Sequence, residues 1–403
     1  MHYLKSLNVQ VFIGIILGLL FGHYLPEIAY EQKLIGDIFV SLLKMLVVPL
    51  VFASIYIAIT GLGTPEKLKS IGLKTIGLYL LTTTLAVALA IIAINLFPVG
   101  DPIPTTGLEY TKASEIKPFS FYDMIMSFIP TNVFNSLASG YMMQVIVFAL
   151  FLAIASFKLQ EKHQVVLFDL FTAINDAMFH IARWVINLTP IGVFSLISYI
   201  IAEQGIGVIL ELWEYVLLVM AVLILHAVVT LPLVLALFAK INPFDYLNRV
   251  KEASLMAFST ASSAATLPIS LKVVQEKGGV SKDSAGFVLP LGATVSMDGT
   301  AAYLTIAVLF IANLAGVPMT LGDQILLGIT VVALSVGVAA LPSASLVMMV
   351  VILGQVGLPV EYLAIIAVVD RLLDMVRTSL NVTSDLVVTK IVDVSTQKSK
   401  ETN

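Results

Sequence analysis

The sequence predicts an all-α, polytopic membrane protein, and three observations favour this class. Of the 403 residues, 59% are hydrophobic and 12% are charged, and the mean hydropathy is +0.99; soluble domains are far more polar. The apolar residues form runs of about 20 or more, the length that a helix needs to cross a bilayer. Two further runs, near 246–276 and 322–358, are broken by small polar residues and proline.

Composition also excludes several functions. The formal charge is −4, from 22 Lys and Arg against 26 Asp and Glu, so the chain lacks the basic surface that nucleic-acid binding requires. Zero cysteines exclude disulfides and thiolate metal ligands, and the five histidines do not form a metal-binding spacing. We therefore expect neither a nucleic-acid partner nor a metalloenzyme.

Eight charge-poor runs predict eight transmembrane helices in the lipid bilayer. Their approximate bounds are 7–25, 34–62, 72–98, 121–156, 165–202, 208–240, 284–314 and 361–388. Most of the lysines and arginines between these runs fall on one side, whereas Lys33, Lys112 and Lys117 fall on the other. Since positively charged loops remain in the cytoplasm, we expect both termini to be cytoplasmic and the chain to lie in the plasma (inner) membrane.

Two segments do not fit a full crossing. Lys251 and Lys272 should lie on the same side, yet ASLMAFSTASSAATLPISL between them is mostly apolar. Each half has about 10 residues and would reach about 15 Å, half of the hydrocarbon thickness. A similar pattern surrounds Pro342, between Asp323 and Glu361. Two re-entrant helical hairpins that enter from opposite faces indicate a transporter with inverted repeats and a site near the midplane.

The eighth run contains the strongest candidate site. At about 100° per residue, one helix face about 80° wide holds Asp370, Asp374, Arg377, Asn381 and Asp385. Buried charges in a membrane usually mark a ligand site or an ion pathway. The alternative is a structural seam of ion pairs between helices. Arg371, nearer the outer end, is expected to snorkel toward water.

Polar residues and glycine interrupt the seventh run at 292–300. An unwound stretch there would expose backbone carbonyls next to Asp298, and a carboxylate beside free carbonyls is a cation site. Because no His or Cys is expected near the buried acids, Na⁺ is favoured over a transition metal. The alternative is that Asp298 caps one half of a broken helix.

Four segments give the chain a resemblance to a known family: SSAATLP, LGATVSMDGT, ALPSASLVMMVVIL and DMVRTSLNVTSD. Together they resemble the glutamate transporter family, the dicarboxylate/amino acid:cation symporters of archaea, bacteria and animals. The resemblance covers nearly the whole chain. It implies an elevator-type homotrimer with scaffold helices in 1–70 and 120–205 and a transport domain in 71–119 and 206–403.

The resemblance also implies contacts with a substrate. Arg377 matches an arginine that pairs with the side-chain carboxylate of an acidic amino acid, and Asp374 matches an aspartate that holds its amino group. The other residues that match substrate contacts are Thr378, Asn381, Ser263 and Thr300. The implied activity is symport of L-aspartate or L-glutamate with cations.

Three Na⁺ sites are implied in the same way, with Na⁺ as the coupling ion. The three sets of residues are Asp385 with Gly292 and Asn381; Asp298 with Tyr79, Thr82 and Thr83; and Thr294 with Met297 and carbonyls near Ser335, Val336 and Val338.

Several positions depart from the family pattern. Ser296 replaces an asparagine that serves two of these sites, and because serine is shorter, we expect cation affinity or stoichiometry to differ. Ala261 and Met375 stand at positions where members tend to carry, at one or the other, an additional arginine. Ser345 stands where glycine is common, which would narrow the pocket.

Other functions stay open on the sequence alone. A proton gradient could drive uptake instead of Na⁺, and a C4-dicarboxylate carrier would keep Arg377 but would not use Asp374 as an ammonium partner. An ion channel also needs buried acids and re-entrant loops, but not an arginine and an aspartate one turn apart. A membrane enzyme is disfavoured, since no nucleophile–base pair is visible.

Overall fold

A computed structural model of the chain describes residues 7–61, 71–100, 126, 129–205, 208–335 and 344–401, and the regular structure within these ranges is helical. The α-helices in chain order are α1 (Leu7–Tyr24), α2 (Pro26–Glu31), α3 (Lys33–Thr60), α4 (Leu73–Leu96), α5 (Val133–Ser139), α6 (Met142–Ser156), α7 (Glu161–Asn187), α8 (Thr189–Gln204), α9 (Val208–Leu225), α10 (Leu231–Ala239), α11 (Pro243–Thr260), α12 (Ser263–Glu276), α13 (Lys282–Val295), α14 (Asp298–Leu314), α15 (Leu321–Ser335), α16 (Ala344–Gln355) and α17 (Leu363–Glu401). A π-helical turn, His226–Thr230, joins α9 to α10. A 3₁₀ turn, Val360–Tyr362, precedes α17.

The helices and the surface have the composition of a membrane protein. Within the described residues, five stretches are long and apolar enough to cross a bilayer: Pro26–Ile57, Leu73–Leu96, Glu161–Asn187, Leu212–Ala239 and Lys282–Leu314. Large apolar side chains also lie on the surface, and Phe134, Phe151 and Trp184 are each more than half exposed. Lipid tails solvate such a surface, whereas in water it would aggregate. The all-helical chain is therefore an integral membrane protein.

Two of the predicted spans are divided in the structure. The segment predicted as one helix at 165–202 forms α7 and α8, which are separated at Leu188. Pro190 lies in the first turn of α8, and proline lacks the N–H that a continuous helix would use. The span predicted at 121–156 is divided at Gly140, where φ is +69°, and its first residues lie outside the described ranges.

The N-terminal helices form one packed group. Helix α1 lies along α8, α8 also contacts α2 and α3, and α3 packs on α6 and α7. The contact between α1 and α8 uses glycines spaced four residues apart, and a Cβ at Gly18 would lie 2.9 Å from the carbonyl oxygen of Phe194. Gly14 and Gly22 approach the backbone of α8 equally closely. Small residues at this spacing let two membrane helices pack backbone to backbone.

The second group surrounds α14, in which every residue except Asn313 is buried. Helices α4, α9, α15, α16 and α17 pack against it. After its first turn α14 is apolar on all sides, which is the pattern of a helix at the centre of a bundle. Helix α17 has 39 residues. At 1.5 Å per residue it is about 58 Å long, well beyond the hydrocarbon thickness of about 30 Å.

Each predicted hairpin contains a pair of helices. Helices α11 and α12 pack against each other and are separated by Ala261 and Ser262. Ala261 has a left-handed φ of 48°, which costs a non-glycine residue about 1–2 kcal/mol. The Ser262 side chain accepts a hydrogen bond from the Ala265 N–H and so caps α12. Helices α15 and α16 flank residues 336–343, which lie outside the described ranges.

The C-terminal half of α17 fixes the segment that joins α12 to α13. The backbone N–H and the hydroxyl of Ser281, the N-cap of α13, donate to Asp393 Oδ1 over 3.2 and 2.6 Å. Lys390 Nζ donates to the carbonyl oxygen of Gly279 over 3.0 Å. Because Asp393 is buried, these contacts tie the start of α13 to α17.

We expect Gly18→Ala to destabilise the protein by about 1–3 kcal/mol, the usual cost of overpacking a close contact. Gly77→Ala in α4 is the matched control, because nothing lies within 4 Å of a Cβ at that position. Thermal unfolding of the detergent-solubilised protein measures both variants. An unchanged melting temperature for Gly18→Ala would show that the α1–α8 contact tolerates a side chain there.

Candidate functional site

The polar face predicted on α17 is buried in the second group of helices. Asp370, Asp374, Arg377, Asn381 and Asp385 are all buried, and Arg377 is only 1% exposed. Helices α11, α13 and α14 pack against α17 along this region. A charged side chain buried without partners is strongly unfavourable, so the neighbours of these residues decide what the site can bind.

The guanidinium of Arg377 lies between two carboxylates. Nη1 is 2.9 Å from Asp370 Oδ1, and Nη2 is 2.9 Å from Asp374 Oδ1. Nε donates a hydrogen bond to Asp374 Oδ1 over 3.0 Å, whereas neither Nη has a well-aligned hydrogen bond to any described residue. The face of Tyr303 lies 4.2 Å from Cζ, a cation–π contact. The two terminal nitrogens therefore have charged neighbours but still have hydrogens to donate to a ligand.

Sequence reasoning did not find the other members of this cluster. The Tyr303 hydroxyl donates to Asp370 Oδ1 over 2.9 Å, and nothing in the sequence joins two residues so far apart. Arg371 Nη1 lies 3.4 Å from Asp374 Oδ2, with the side chain 26% exposed. Arg371, expected to snorkel toward water, thus keeps part of its side chain exposed while its guanidinium reaches Asp374. Its spacing of three residues from Asp374 was the available signal, since residues i and i+3 share a helix face.

Asn381 links α17 to the start of α14. Its Oδ1 accepts a hydrogen bond from the Gly299 N–H over 2.8 Å, one of the donors that a helix N-terminus leaves without a partner in its own helix. Its Nδ2 donates to Thr300 Oγ1 over 3.1 Å and lies 3.3 Å from Met297 Sδ. The two helices are in backbone contact here, because a Cβ on Gly299 would lie 2.6 Å from the carbonyl oxygen of Arg377.

Two buried oxygens lie near the break between α13 and α14. Asp385 Oδ1 and Ser296 Oγ are both buried and lie beside each other, and neither has a well-aligned hydrogen bond to a described residue. Gly292, one turn before Ser296, faces the same place, since a Cβ there would collide with Asp385 Oδ1 and the Tyr79 hydroxyl. The Tyr79 hydroxyl itself donates to the carbonyl of Val288 over 3.0 Å. Buried oxygens without well-aligned hydrogen bonds suit a small cation.

Asp298 is fully buried and lies among four polar side chains. Thr82 and Thr83 donate to Oδ1 over 3.2 and 2.6 Å. Ser384 donates to Oδ2 over 2.7 Å, and His226 Nε2 lies 3.2 Å from the same oxygen. The structure thus places Thr82 and Thr83 against Asp298, whereas the hydroxyl of Tyr79 lies near Gly292 and Asp385.

His226 corrects the expectation that no histidine lies near the buried acids. It is fully buried and stands at the start of the π-helical turn that joins α9 to α10. An extra residue in the turn changes which side chains face the bundle, and such turns are frequent at functional sites. A single histidine inside an apolar run was the signal, but a periodicity of 3.6 does not predict the direction of a residue in a π-turn.

The remaining predicted site residues lie at three places. Ser263 is buried at the start of α12, which packs on α17, and Thr378 is buried on α17. The hydroxyl of Thr294 donates to the carbonyl of Leu291, and that of Ser335 to the carbonyl of Val332. Val336 and Val338, predicted to supply carbonyls, lie outside the described residues.

The donor types favour a monovalent hard cation. The structure has no group of three or more His, Cys, Asp or Glu suited to a metal ion in the part of the chain that it describes. The two candidate positions instead combine a single carboxylate with hydroxyl and carbonyl oxygens, and His226 adds one imidazole at Asp298. Such donors match Na⁺ or, at a carboxylate, a proton, and do not match a transition metal.

These features define the class of ion-coupled membrane carriers. The helices are apolar, one of them is broken at mid-length, and buried charges of both signs and single carboxylates lie near the break. The chain belongs to the sodium:dicarboxylate symporter family, whose model matches residues 7–395. This is a family of transporters and not of enzymes.

Curated relatives carry matching names. The proton/sodium-glutamate symport protein of Bacillus caldotenax is 34% identical over 383 residues, which cover 93% of this chain and 90% of the relative. A protein of the same name in Bacillus subtilis (strain 168) is 34% identical over 393 residues, or 94% and 90%. The proton/glutamate-aspartate symporter of Escherichia coli (strain K12) is 34% identical over 394 residues, again 94% and 90%.

Proposed function

We propose that this chain is a secondary active symporter that takes up the acidic amino acids L-aspartate and L-glutamate, coupled to Na⁺ or H⁺. The observation that carries the proposal is the buried Arg377, whose terminal nitrogens lack aligned hydrogen bonds and which lies one turn from Asp374. An acidic amino acid has two carboxylates and one ammonium group, so it needs both a guanidinium and an acid. The names of the relatives support the same substrates and both ions.

Substrate recognition follows from the contacts of Arg377. In the structure Asp370 and Asp374 hold the guanidinium from two sides. A substrate side-chain carboxylate would bind the two terminal nitrogens in the bidentate geometry that arginine favours. Asp374 would then hold the substrate ammonium group. In this exchange of partners, Arg377 and Asp374 each keep an oppositely charged group in contact, whether or not substrate is bound.

The rest of the substrate is held by neutral groups. Thr378 and Asn381 follow Arg377 on α17, and Asn381 already contacts Thr300. The side chain of Ser263, buried at the N-terminus of α12, would bind the α-carboxylate. Helix N-termini favour negative charge because their first N–H groups have no partners within the helix.

We propose three cation sites around the break between α13 and α14. Asp385 Oδ1 and the oxygen groups of Gly292 and Asn381 would hold one ion. Asp298, Thr82 and Thr83 would hold a second, with Tyr79 close by. The third would combine Thr294 and Met297 with carbonyls near Ser335, Val336 and Val338. Ser296 Oγ, buried and without a well-aligned hydrogen bond to a described residue, is available to the first of these sites.

The helix groups support the proposed architecture. We assign 1–70 and 120–205 to a scaffold and the rest to a transport domain. The packing of α1–α3 with α6–α8, and of α4, α9 and α15–α17 around α14, supports this division. We propose eight spanning helices and two re-entrant hairpins, with both termini in the cytoplasm. In an elevator mechanism, the second group, which holds the buried charges, would move against the first.

A charged stripe on α7 supports assembly into a homotrimer. Asp169, Asp176 and Arg183 recur at seven-residue intervals, share one helix face and are exposed in the single chain. Charges that face lipid are costly, so a second copy of the chain would cover them. Native mass spectrometry that finds only single chains would contradict this assembly.

Uptake into liposomes tests the proposed function. We expect labelled aspartate and glutamate to accumulate above equilibrium when a Na⁺ or a proton gradient is imposed, and succinate to accumulate far less. Separate gradients decide which ion is coupled. Uptake that never exceeds equilibrium under either gradient would indicate a channel, and preferred uptake of succinate would indicate a C4-dicarboxylate carrier.

Arg377→Lys is expected to weaken aspartate binding at least about 100-fold, because lysine cannot replace the bidentate guanidinium and the cost of breaking a buried pair is about 3 kcal/mol or more. Asp374→Asn should remove the discrimination between aspartate and succinate. Isothermal calorimetry on the purified variants measures both effects. Wild-type aspartate affinity in Arg377→Lys would exclude Arg377 from the substrate site.

We expect Gly292→Ala to fold but to lose the stabilisation that Na⁺ gives the parent. The added Cβ would meet the ends of two side chains, Asp385 and Tyr79, which can shift, rather than fixed backbone. Gly286→Ala in the same helix is the matched control, since nothing lies within 4 Å of its Cβ. We expect Na⁺ to raise the melting temperature of the parent and the control but not of Gly292→Ala. Equal shifts in all three would remove this position from the cation site.

A further inference from the structure

Four charged side chains on three turns of α17 form a cluster whose charges sum to zero. Asp370 and Asp374 flank Arg377, with 2.9 Å separating each carboxylate from a terminal nitrogen. Arg371 completes the cluster, because its Nη1 lies 3.4 Å from Asp374 Oδ2. Without Arg371, two carboxylates would face one guanidinium, and the cluster would carry a net charge of −1.

The two arginines contact different atoms of Asp374. Arg377 contacts Oδ1 through Nε and Nη2, whereas Arg371 contacts Oδ2. Arg377 is enclosed at 1% exposure, but the Arg371 side chain is 26% exposed. Arg371 can therefore leave Asp374 and extend into water, while Arg377 has no such route. Oδ2 is thus an oxygen on which one cationic group can replace another.

We propose that Arg371 is a positioning residue that takes the place of the substrate ammonium group on Asp374 when the transporter is empty. This inference rests on the proposed uptake of acidic amino acids. The ammonium group of an arriving substrate displaces Arg371, and Arg371 returns to Asp374 after the substrate leaves. The cluster of four charges is then electrically neutral, so its return across the membrane needs no further cation to balance it.

The physical reason is the cost of moving an unpaired charge through an apolar interior. A net charge in the buried site must be neutralised, solvated or carried against a high barrier. The loaded site meets this need with substrate and coupling ions. In the empty site Arg371 supplies the neutralising positive charge. Exchange of substrate for substrate therefore does not need Arg371, whereas net uptake does.

The test compares net uptake with exchange in Arg371→Gln. Liposomes with choline as the only internal cation report net uptake of labelled aspartate, and liposomes preloaded with unlabelled aspartate report exchange. We expect the ratio of net uptake to exchange to fall at least about tenfold, because only the empty return carries the uncompensated charge. Arg371→Lys keeps the charge and should keep the ratio of the parent.

The controls separate the possible failures. Arg249→Gln removes an exposed arginine paired with Asp245 and should leave the ratio unchanged. An unchanged ratio in Arg371→Gln would overturn the proposal, as would an equal fall in Arg371→Lys, which would show that charge is not the cause. Loss of exchange in Arg371→Gln would also overturn it, since Arg371 would then be needed in the loaded state. If the parent shows neither net uptake nor exchange of aspartate, the proposed function fails instead.

Discussion

The structure depends on one constraint: charges inside an apolar helix bundle must be neutralised by other groups of the bundle. The Arg377 guanidinium satisfies this requirement with Asp370, Asp374 and the ring of Tyr303. These partners come from α14 and α17, so their packing also fixes the two helices relative to each other. Apolar residues of similar volume would often give equal or better stability than a buried ion pair. We therefore attribute the retention of these charges to ligand binding rather than to stability.

The same constraint at Asp298 involves three other parts of the chain. The carboxylate is held from α4 by Thr82 and Thr83, from α17 by Ser384, and from the π-turn by His226. A carboxylate with this many neighbours cannot change its charge or its ligand without affecting all of them. A cation bound at this position would therefore affect α4 and the π-turn as well as α17, the helix that carries Arg377.

Much of the site follows from local sequence, and its partners do not. A spacing of about 100° per residue predicts the polar face of α17 correctly, and Ser296 to Asp298 mark the break between α13 and α14. Periodicity cannot report which distant residue meets that face, so Tyr303 and His226 were not found. Pro190 was a sequence signal that the predicted span at 165–202 would divide into two helices. The length of the run was a second sign, because 38 residues are more than one crossing needs.

The tie between Asp393 and Ser281 has a mechanical consequence. It fastens the start of α13 to Asp393 of α17, about two turns beyond Asp385. Farther along α13, Gly292 lies directly against Asp385 Oδ1. Two helices that are held together at one point can separate only by a change of the angle between them. A small change of angle at this contact would therefore change the separation of Gly292 and Asp385, about three turns of α13 away.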